Sequence, residues 1–196
     1  LTARPCDAAG DGLVLGEGAR PFVPEGLEHA KARGAHIIAE LIGFGTNCDG
    51  THVTHPNSAT MAQAMRLALA DAGVSPDVIG YVNAHGTATE QGDIAESAAT
   101  YEVFGNRVPV STLEGYMGHT PGACGSLEAW MTLEMLREGV FAQNANLTEV
   151  DPRCAPIDYI THQPRALKTD VVMSNNFAFG GINTSLIFQR WPSTAE

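Results

Sequence analysis

Long apolar runs are absent from this chain of 196 residues. None approaches the roughly eighteen to twenty residues of a membrane-spanning helix, and the opening LTARPCDAAGDG has no apolar core of the kind a signal peptide carries. The sequence therefore predicts a soluble, cytoplasmic protein with no membrane partner. Basic residues are scarce as well. Eleven Lys and Arg against 22 Asp and Glu give a formal net charge of −11. The few cations are scattered, which argues against a face that neutralises phosphates and so against a nucleic-acid partner. Cysteines are few: Cys6, Cys48, Cys124 and Cys154 lie far apart with no Cys-x-x-Cys pair. That spacing speaks against a zinc knuckle or a disulfide framework, and it predicts reduced, intracellular thiols. Low-complexity tracts are absent too. What remains, 44% hydrophobic and 17% charged residues, is the composition of a globular chain of one domain or two small ones.

Taken in order, residues 1–34 read as the tail of a preceding unit. A turn cluster at 7–12, a brief strand at 13–15 and a second turn at 16–18 lead to a strand fragment at 20–23, and a polar connector with helical character follows at 27–34. The β-branched run 37–44 predicts a strand, and the Gly- and Asx-rich residues 45–50 a loop. His52 and His55 in that loop, three apart and without carboxylate or cysteine company, read as loop histidines rather than a metal site. Asn57 or Ser58 caps a helix that carries Met61, Met65, Leu67 and Leu69 through Ala72 and is closed by Gly73, and Ser75-Pro76 starts a single turn. A strand at 79–83, a helix at 92–104 ended by Gly105, and a strand at 108–110 come next. A buried helix through Leu136 follows His119, then a loop at 144–156 and a strand at 157–160. The chain closes on a hairpin: strand 171–173, loop 174–181, strand 182–188. The alternation of strand and helix predicts a layered α/β unit with a mixed sheet.

Two histidines stand at matching places in this pattern. His119, in VPVSTLEGYMGHTPGACGSLE, follows a short apolar strand and precedes a glycine- and alanine-rich helix start, where unpaired backbone N–H groups favour negative charge developing on oxygen. His85, in YVNAHGTATEQGD, repeats the design. In open α/β sheets ligands gather at the carboxyl ends of strands, so the two imidazoles are expected to meet in one pocket. Glu128 lies inside the apolar helix, where a carboxylate needs hydrogen bonds, a cation or a metal.

AHGTATEQGD, GHTPGACGSLEA and SNNFAFGGIN, standing in this order after RPCDAAGDGLVLGEGA, resemble the C-terminal half of the β-ketoacyl-acyl-carrier-protein synthases of the thiolase-like superfamily. The resemblance covers nearly the whole chain. It implies the thiolase-like fold, with residues 1–34 as the tail of the N-terminal half, 35–190 as the C-terminal domain, 191–196 as a tail, and the N-terminal half absent. The implied activity is decarboxylative Claisen condensation: an acyl group rests on a cysteine of the absent half, malonyl-carrier loses carbon dioxide, and the carbanion attacks the acyl thioester. By resemblance His85 and His119 stabilise the enolate oxygen. Thr87 and Thr89 match hydroxyls that bond the pantetheine arm, although turn chemistry alone also suits them. Phe179, with Gly180 and Gly181, matches a gating phenylalanine and its mobile loop, and Phe177 is either pocket wall or hairpin core. Asn83, Glu128, Ser174 and Asn175 fall where related synthases gather an ordered water or a monovalent cation. No other cofactor is implied.

The sequence departs from the family pattern at Glu114, where a lysine usually stands five residues before the second histidine. A carboxylate there favours a protonated imidazole beside it or is itself protonated. This marks either a specialised synthase of fatty-acid or polyketide type or a chain-length-factor-like or scaffolding subunit that has lost turnover. Cys124 stands where the family carries a small apolar residue, which reads as packing rather than as a nucleophile. A degradative thiolase fits less well, because its catalytic cysteine would belong in the closing loop, where this chain has Asn-Phe-Ala-Phe-Gly-Gly. The implied partners are an acyl carrier protein and a second synthase subunit in a homodimer or heterodimer. Arg33, Arg66, Arg165 and Lys168 are the candidate basic contacts for the acidic carrier.

Overall fold

Asn57 sets the first long helix as its sequence predicts. Its backbone is extended, its Oδ1 accepts the Ala59 N–H at 2.9 Å, and Gly73 closes the helix in the left-handed conformation, φ 66°. The computed structural model describes residues 2–191, so the expected C-terminal tail lies, apart from Trp191, outside the described residues. In chain order the elements are α1 (Leu27–Ala32), β1 (Ala39–Cys48), α2 (Ser58–Ala72), a single 3₁₀ turn (Pro76–Val78), β2 (Val82–Ala84), α3 (Glu90–Phe104), β3 (Pro109–Thr112), α4 (Glu114–Met117), α5 (Cys124–Glu138), β4 (Val140–Phe141), β5 (Asp158–Tyr159), β6 (Arg165–Ala166), β7 (Val171–Ala178) and β8 (Ile182–Arg190).

Six strands form one mixed sheet in the order β1-β8-β7-β2-β3-β5. The hairpin β7–β8 and the pair β1–β8 are antiparallel, whereas β7, β2, β3 and β5 run parallel. The carboxyl ends of β7, β2 and β3 therefore lie side by side, and the residues just past them share one edge of the sheet. Side chains alternate across the sheet and fill two cores. Val171, Met173, Val82 and Ile187 pack with Met61, Met65 and Phe104 of α2 and α3, while Val172, Tyr81 and Phe188 pack with Leu133 and Leu136 of α5. The result is a three-layer arrangement, the layered α/β unit the pattern predicts.

Several boundaries differ from the sequence reading for identifiable reasons. Strand β1 starts two residues later than expected and runs through Cys48, absorbing most of the glycine loop. Gly43 and Gly45 are there because a Cβ at either would run into backbone oxygens of Ala68 and Ala64 on α2, so they serve close helix–strand packing rather than a turn. Residues 13–15 and 20–23 form no strand. Leu15 makes only an isolated parallel bridge to His119, and Leu15 and Val23 are exposed.

Residues 174–178 belong to strand β7 rather than to a loop; their polar side chains are mostly buried against partners, which the sequence pattern disguised. The turn itself is short, with Gly180 and Gly181 at φ 83° and 77°. Strand β2 begins at Val82, and helix α3 begins at Glu90 behind Thr89. The one-turn α4 and the β4–β6 pair were not expected, being too short to show a period. Among the described residues no helix is long and apolar enough to cross a membrane.

Candidate active site

Strand β2 delivers His85 to the sheet edge, and a buried carboxylate fixes it there. Glu96, nearly two turns into α3, accepts the backbone N–H of His85 and of Gly86, each at 2.8 Å, while Thr112 Oγ1 donates to the two carbonyls at 3.1 and 3.2 Å. Gly86 sits at φ 42° against the Thr112 side chain, which leaves no room for a Cβ. Burial pushes the Glu96 carboxyl up to about 7 despite the nearby His85 and the two N–H groups, and it pushes the His85 imidazole down from its ordinary range even though Glu96 and Glu114 act the other way. Burial thus disfavours the charged form of His85.

His119 is positioned differently. Its N–H donates to the Val14 carbonyl and its carbonyl accepts the Gly16 N–H, both at 2.7 Å, so the N-terminal segment threads directly beside it. Helix α5 starts at Cys124, past a turn at 120–123, rather than at His119 itself. The two imidazole rings lie 5.2 Å apart, centroid to centroid, inclined at 72°. Both line a cavity of about 810 Å³ together with Thr87, Thr89, Phe177 and Phe179. The pocket shared by two histidines, inferred from the repeated motif, is present as geometry.

The remaining residues singled out in the sequence gather around that pocket. The Thr87 and Thr89 hydroxyls are 3.0 Å apart on its wall. Phe177 packs into the core cluster while also reaching the cavity, whereas Phe179 is 62% exposed at the hairpin turn. The Gly180 N–H donates to the Val53 carbonyl at 2.9 Å, which ties that turn to the loop carrying His52 and His55 on the cavity rim. Those two histidines bond each other at 2.8 Å between Nδ1 atoms.

Behind the imidazoles the charge is unusual. Glu114 is 1% exposed, with Oε1 3.0 Å from His119 Nδ1 and 4.0 Å from His85 Nδ1. Glu128 is fully buried, 3.8 Å from His85 Nδ1. Burial first, then the Glu128 charge, pushes the Glu114 carboxyl up to about 8; burial pushes Glu128 to about 8 as well. Among the described residues both Glu128 oxygens and Asn83 Oδ1 have no hydrogen-bond partner, nor does Asn175 Nδ2. Asn83 Nδ2 donates to Ser174 Oγ at 3.4 Å, and Asn175 Oδ1 accepts the Ser185 hydroxyl at 2.8 Å. The buried oxygens of Glu128 and Asn83 suit an ordered water or a monovalent cation, which hard oxygen donors bind.

Sequence reasoning missed four contributors. Asn176 Nδ2 donates to His85 Nδ1 at 3.1 Å and to Cys124 Sγ at 3.2 Å, and it was hidden in a stretch read as loop. Glu96 and Asp93, three apart at the start of α3, carried a legible signal: two acids in the buried opening turns of a helix just after the histidine. Asp93 accepts the Cys6 N–H at 2.7 Å. Asn144 holds the end of β3 by accepting the Thr112 N–H at 2.9 Å and donating to the Val110 and Ile160 carbonyls. Cys124 is buried, and burial raises its thiol, which fits a packing residue better than a nucleophile.

Comparison with known proteins meets this geometry. The family described as "Beta-ketoacyl synthase, C-terminal domain" matches residues 38–148. The 3-oxoacyl-[acyl-carrier-protein] synthase 2 of Coxiella burnetii is 40% identical over 193 residues, covering 96% of this chain and 46% of its own length. The crystal structure of a beta-ketoacyl synthase from Burkholderia phymatum superposes with a TM-score of 0.93 at 58% identity, covering 98% of this chain and 47% of the other. The ishigamide ketosynthase/chain length factor superposes with a TM-score of 0.94 at 37% identity, over 98% and 48% of the two chains. The chain thus spans about half the length of these relatives. With its strand-end histidines and its thiolase-like sheet, it belongs to the β-ketoacyl synthase family, whose C-terminal domain it forms.

Proposed function

We propose that this chain supplies the decarboxylation half of a β-ketoacyl-acyl-carrier-protein synthase, an acyltransferase of fatty-acid or polyketide-type synthesis. The reading is carried by one observation: His85 and His119, brought from separate strand ends, face each other across one cavity. An acyl group held on a cysteine thiol elsewhere in the synthase waits there as a thioester. The malonyl thioester loses carbon dioxide, its electron pair passes onto the thioester oxygen as an enolate, and the carbanion attacks the waiting acyl carbon and expels the cysteine thiolate. His85 is suited to the enolate oxygen because burial disfavours its charged form and because the Asn176 amide bonded to Nδ1 keeps the ring proton on Nε2.

Thr87 and Thr89 bond the pantetheine arm, and Phe179, exposed on its two-glycine turn, is the gate. A water at Glu128 and Asn83, near Ser174 and Asn175, would satisfy their buried oxygens, and a monovalent cation there would favour the charged carboxylate. The carrier is an acyl carrier protein, as in the name of the Coxiella relative. Arg33, Arg66 and Arg165 are already paired with Glu25, Glu102 and Asp158, which leaves little free cationic surface here and assigns carrier docking mainly to the rest of the synthase or to a partner subunit.

The test is release of carbon dioxide from malonyl-carrier by the full-length protein. His85→Ala or His119→Ala lowers that rate about 10²–10³-fold, the usual cost of losing one oxyanion donor. An unchanged rate in either variant overturns the reading. A second reading, a chain-length-factor-like subunit without turnover, is favoured by Glu114 in the lysine position. The residue at the nucleophile position of the full-length protein separates the two: a cysteine there sustains the enzyme, any other residue the partner subunit.

A further inference from the structure

The two imidazoles and the side chains behind them form a donor set of which the condensation reading uses only the histidines. His85, Glu114, His119 and Cys124 each present one ligating atom, all four atoms lie within 4.8 Å of one another, and all four residues are buried. They come from four separate stretches: the end of β2, the start of α4, the loop after α4, and the first residue of α5. Two imidazole nitrogens, a thiolate sulfur and a carboxylate oxygen make the borderline-soft mixture that suits zinc and its neighbours, in contrast to the oxygen-only environment that magnesium and calcium select. Glu114 supplies a further sign: it is 1% exposed and its Oε2 has no hydrogen-bond partner.

We propose that this cluster binds a zinc-class divalent ion on the side of the imidazoles that faces Glu114. A tetrahedral site with metal–ligand bonds of about 2.0–2.3 Å sets its ligand atoms roughly 3.4 Å apart. Glu114 Oε1 is already 3.0 Å from His119 Nδ1 and 4.0 Å from His85 Nδ1. The widest separation in the set must close by roughly 1–1.5 Å, which side-chain rotation of Glu114 and Cys124 provides. The backbones need not move: Glu96 clasps His85, and Val14 with Gly16 clamps His119. Binding is ligand exchange. The Cys124 thiol proton and any proton on the coordinating nitrogen or carboxylate leave to solvent, and no electron is transferred.

Two residues decide whether the ion enters. A lysine at position 114 would place an ammonium among the donors and repel it, so the glutamate creates the site. Asn176 opposes it, because its amide donates to both His85 Nδ1 and Cys124 Sγ and so covers lone pairs the metal needs. Displacing that amide limits the affinity. The claim of binding stands on these contacts alone and not on the synthase reading.

Cobalt(II) titrated into the metal-free full-length protein tests the site. The expected result is one-to-one binding with a near-ultraviolet thiolate charge-transfer band and the visible bands of a tetrahedral ion, both reversed by a chelator. Cys124→Ser removes the charge-transfer band and keeps a weaker visible spectrum. Glu114→Lys weakens binding at least about 10-fold, since even partners outside the ligand shell cost that much. Asn176→Ala tightens it. Absence of the band in the unmodified protein, its survival in Cys124→Ser, or equal affinity in Glu114→Lys overturns the site. The chelator-reversible band of the unmodified protein answers the question even where a variant does not fold.

Discussion

Glu114 separates this site from the lysine-bearing pattern its sequence resembles. An acceptor 3.0 Å from His119 Nδ1 orients that ring, and a lysine in its place has no acceptor to offer. Glu114→Lys is therefore expected to lower carbon dioxide release by about 10-fold or more, with the fold unchanged by circular dichroism. A rise in rate would instead mark a lapsed site and favour the chain-length-factor reading. At this scale the sequence was informative wherever a residue type stands at a diagnostic spacing, as for His85, His119 and Glu114. It was silent on Asn176, whose importance comes from pointing across the sheet edge to His85 and Cys124. Such a contact depends on strand register and leaves no local pattern.

The elements show the same division. The cap at Asn57 and the stop at Gly73 were legible because helix ends need a specific acceptor and a specific backbone angle. Replacing Asn57 with Ala removes the bond to the Ala59 N–H and is expected to cost about 1 kcal/mol in urea denaturation. Gly45 was misread as the start of a loop, because a glycine that admits a helix and a glycine that allows a turn look identical in one dimension. Gly45→Ala puts a methyl into the backbone of α2, and we expect a loss of about 2 kcal/mol or more by thermal melting. The polar end of β7 deceived for a related reason: Ser174 and Asn175 are buried because they bond inward, and hydropathy cannot distinguish that from a solvated turn.

For the molecule as a whole, the N-terminal segment is an integral part of the fold. Asp7 Oδ2 accepts the Thr148 N–H, the Thr148 hydroxyl and the Glu149 N–H at 2.6, 2.9 and 3.1 Å, and its Oδ1 accepts the Ala9 N–H at 2.8 Å. Burial alone would raise this carboxyl, but the donors prevail and hold it at about 2. Because the folded value is depressed, the stabilisation is fully present above the ordinary aspartate range and is lost as the pH falls from about 4 towards 2. Asp7→Asn should remove about 2 kcal/mol at neutral pH and flatten that acid limb in a denaturation series. An acid limb identical in variant and parent would contradict the assignment.

The clamp of Val14 and Gly16 on His119 has a kinetic corollary. A pocket whose second imidazole is held by a segment far upstream cannot exist until residues about a hundred positions apart meet, a closure slow by comparison with local helix growth. Newly made chains should pass through a state that is helical yet unable to handle substrate. Arg20 stacks over the Trp130 ring at 4.6 Å, so indole emission reports when that segment docks. In stopped-flow refolding of the full-length protein, helical ellipticity is expected to return first, and indole emission with carbon dioxide release together afterwards.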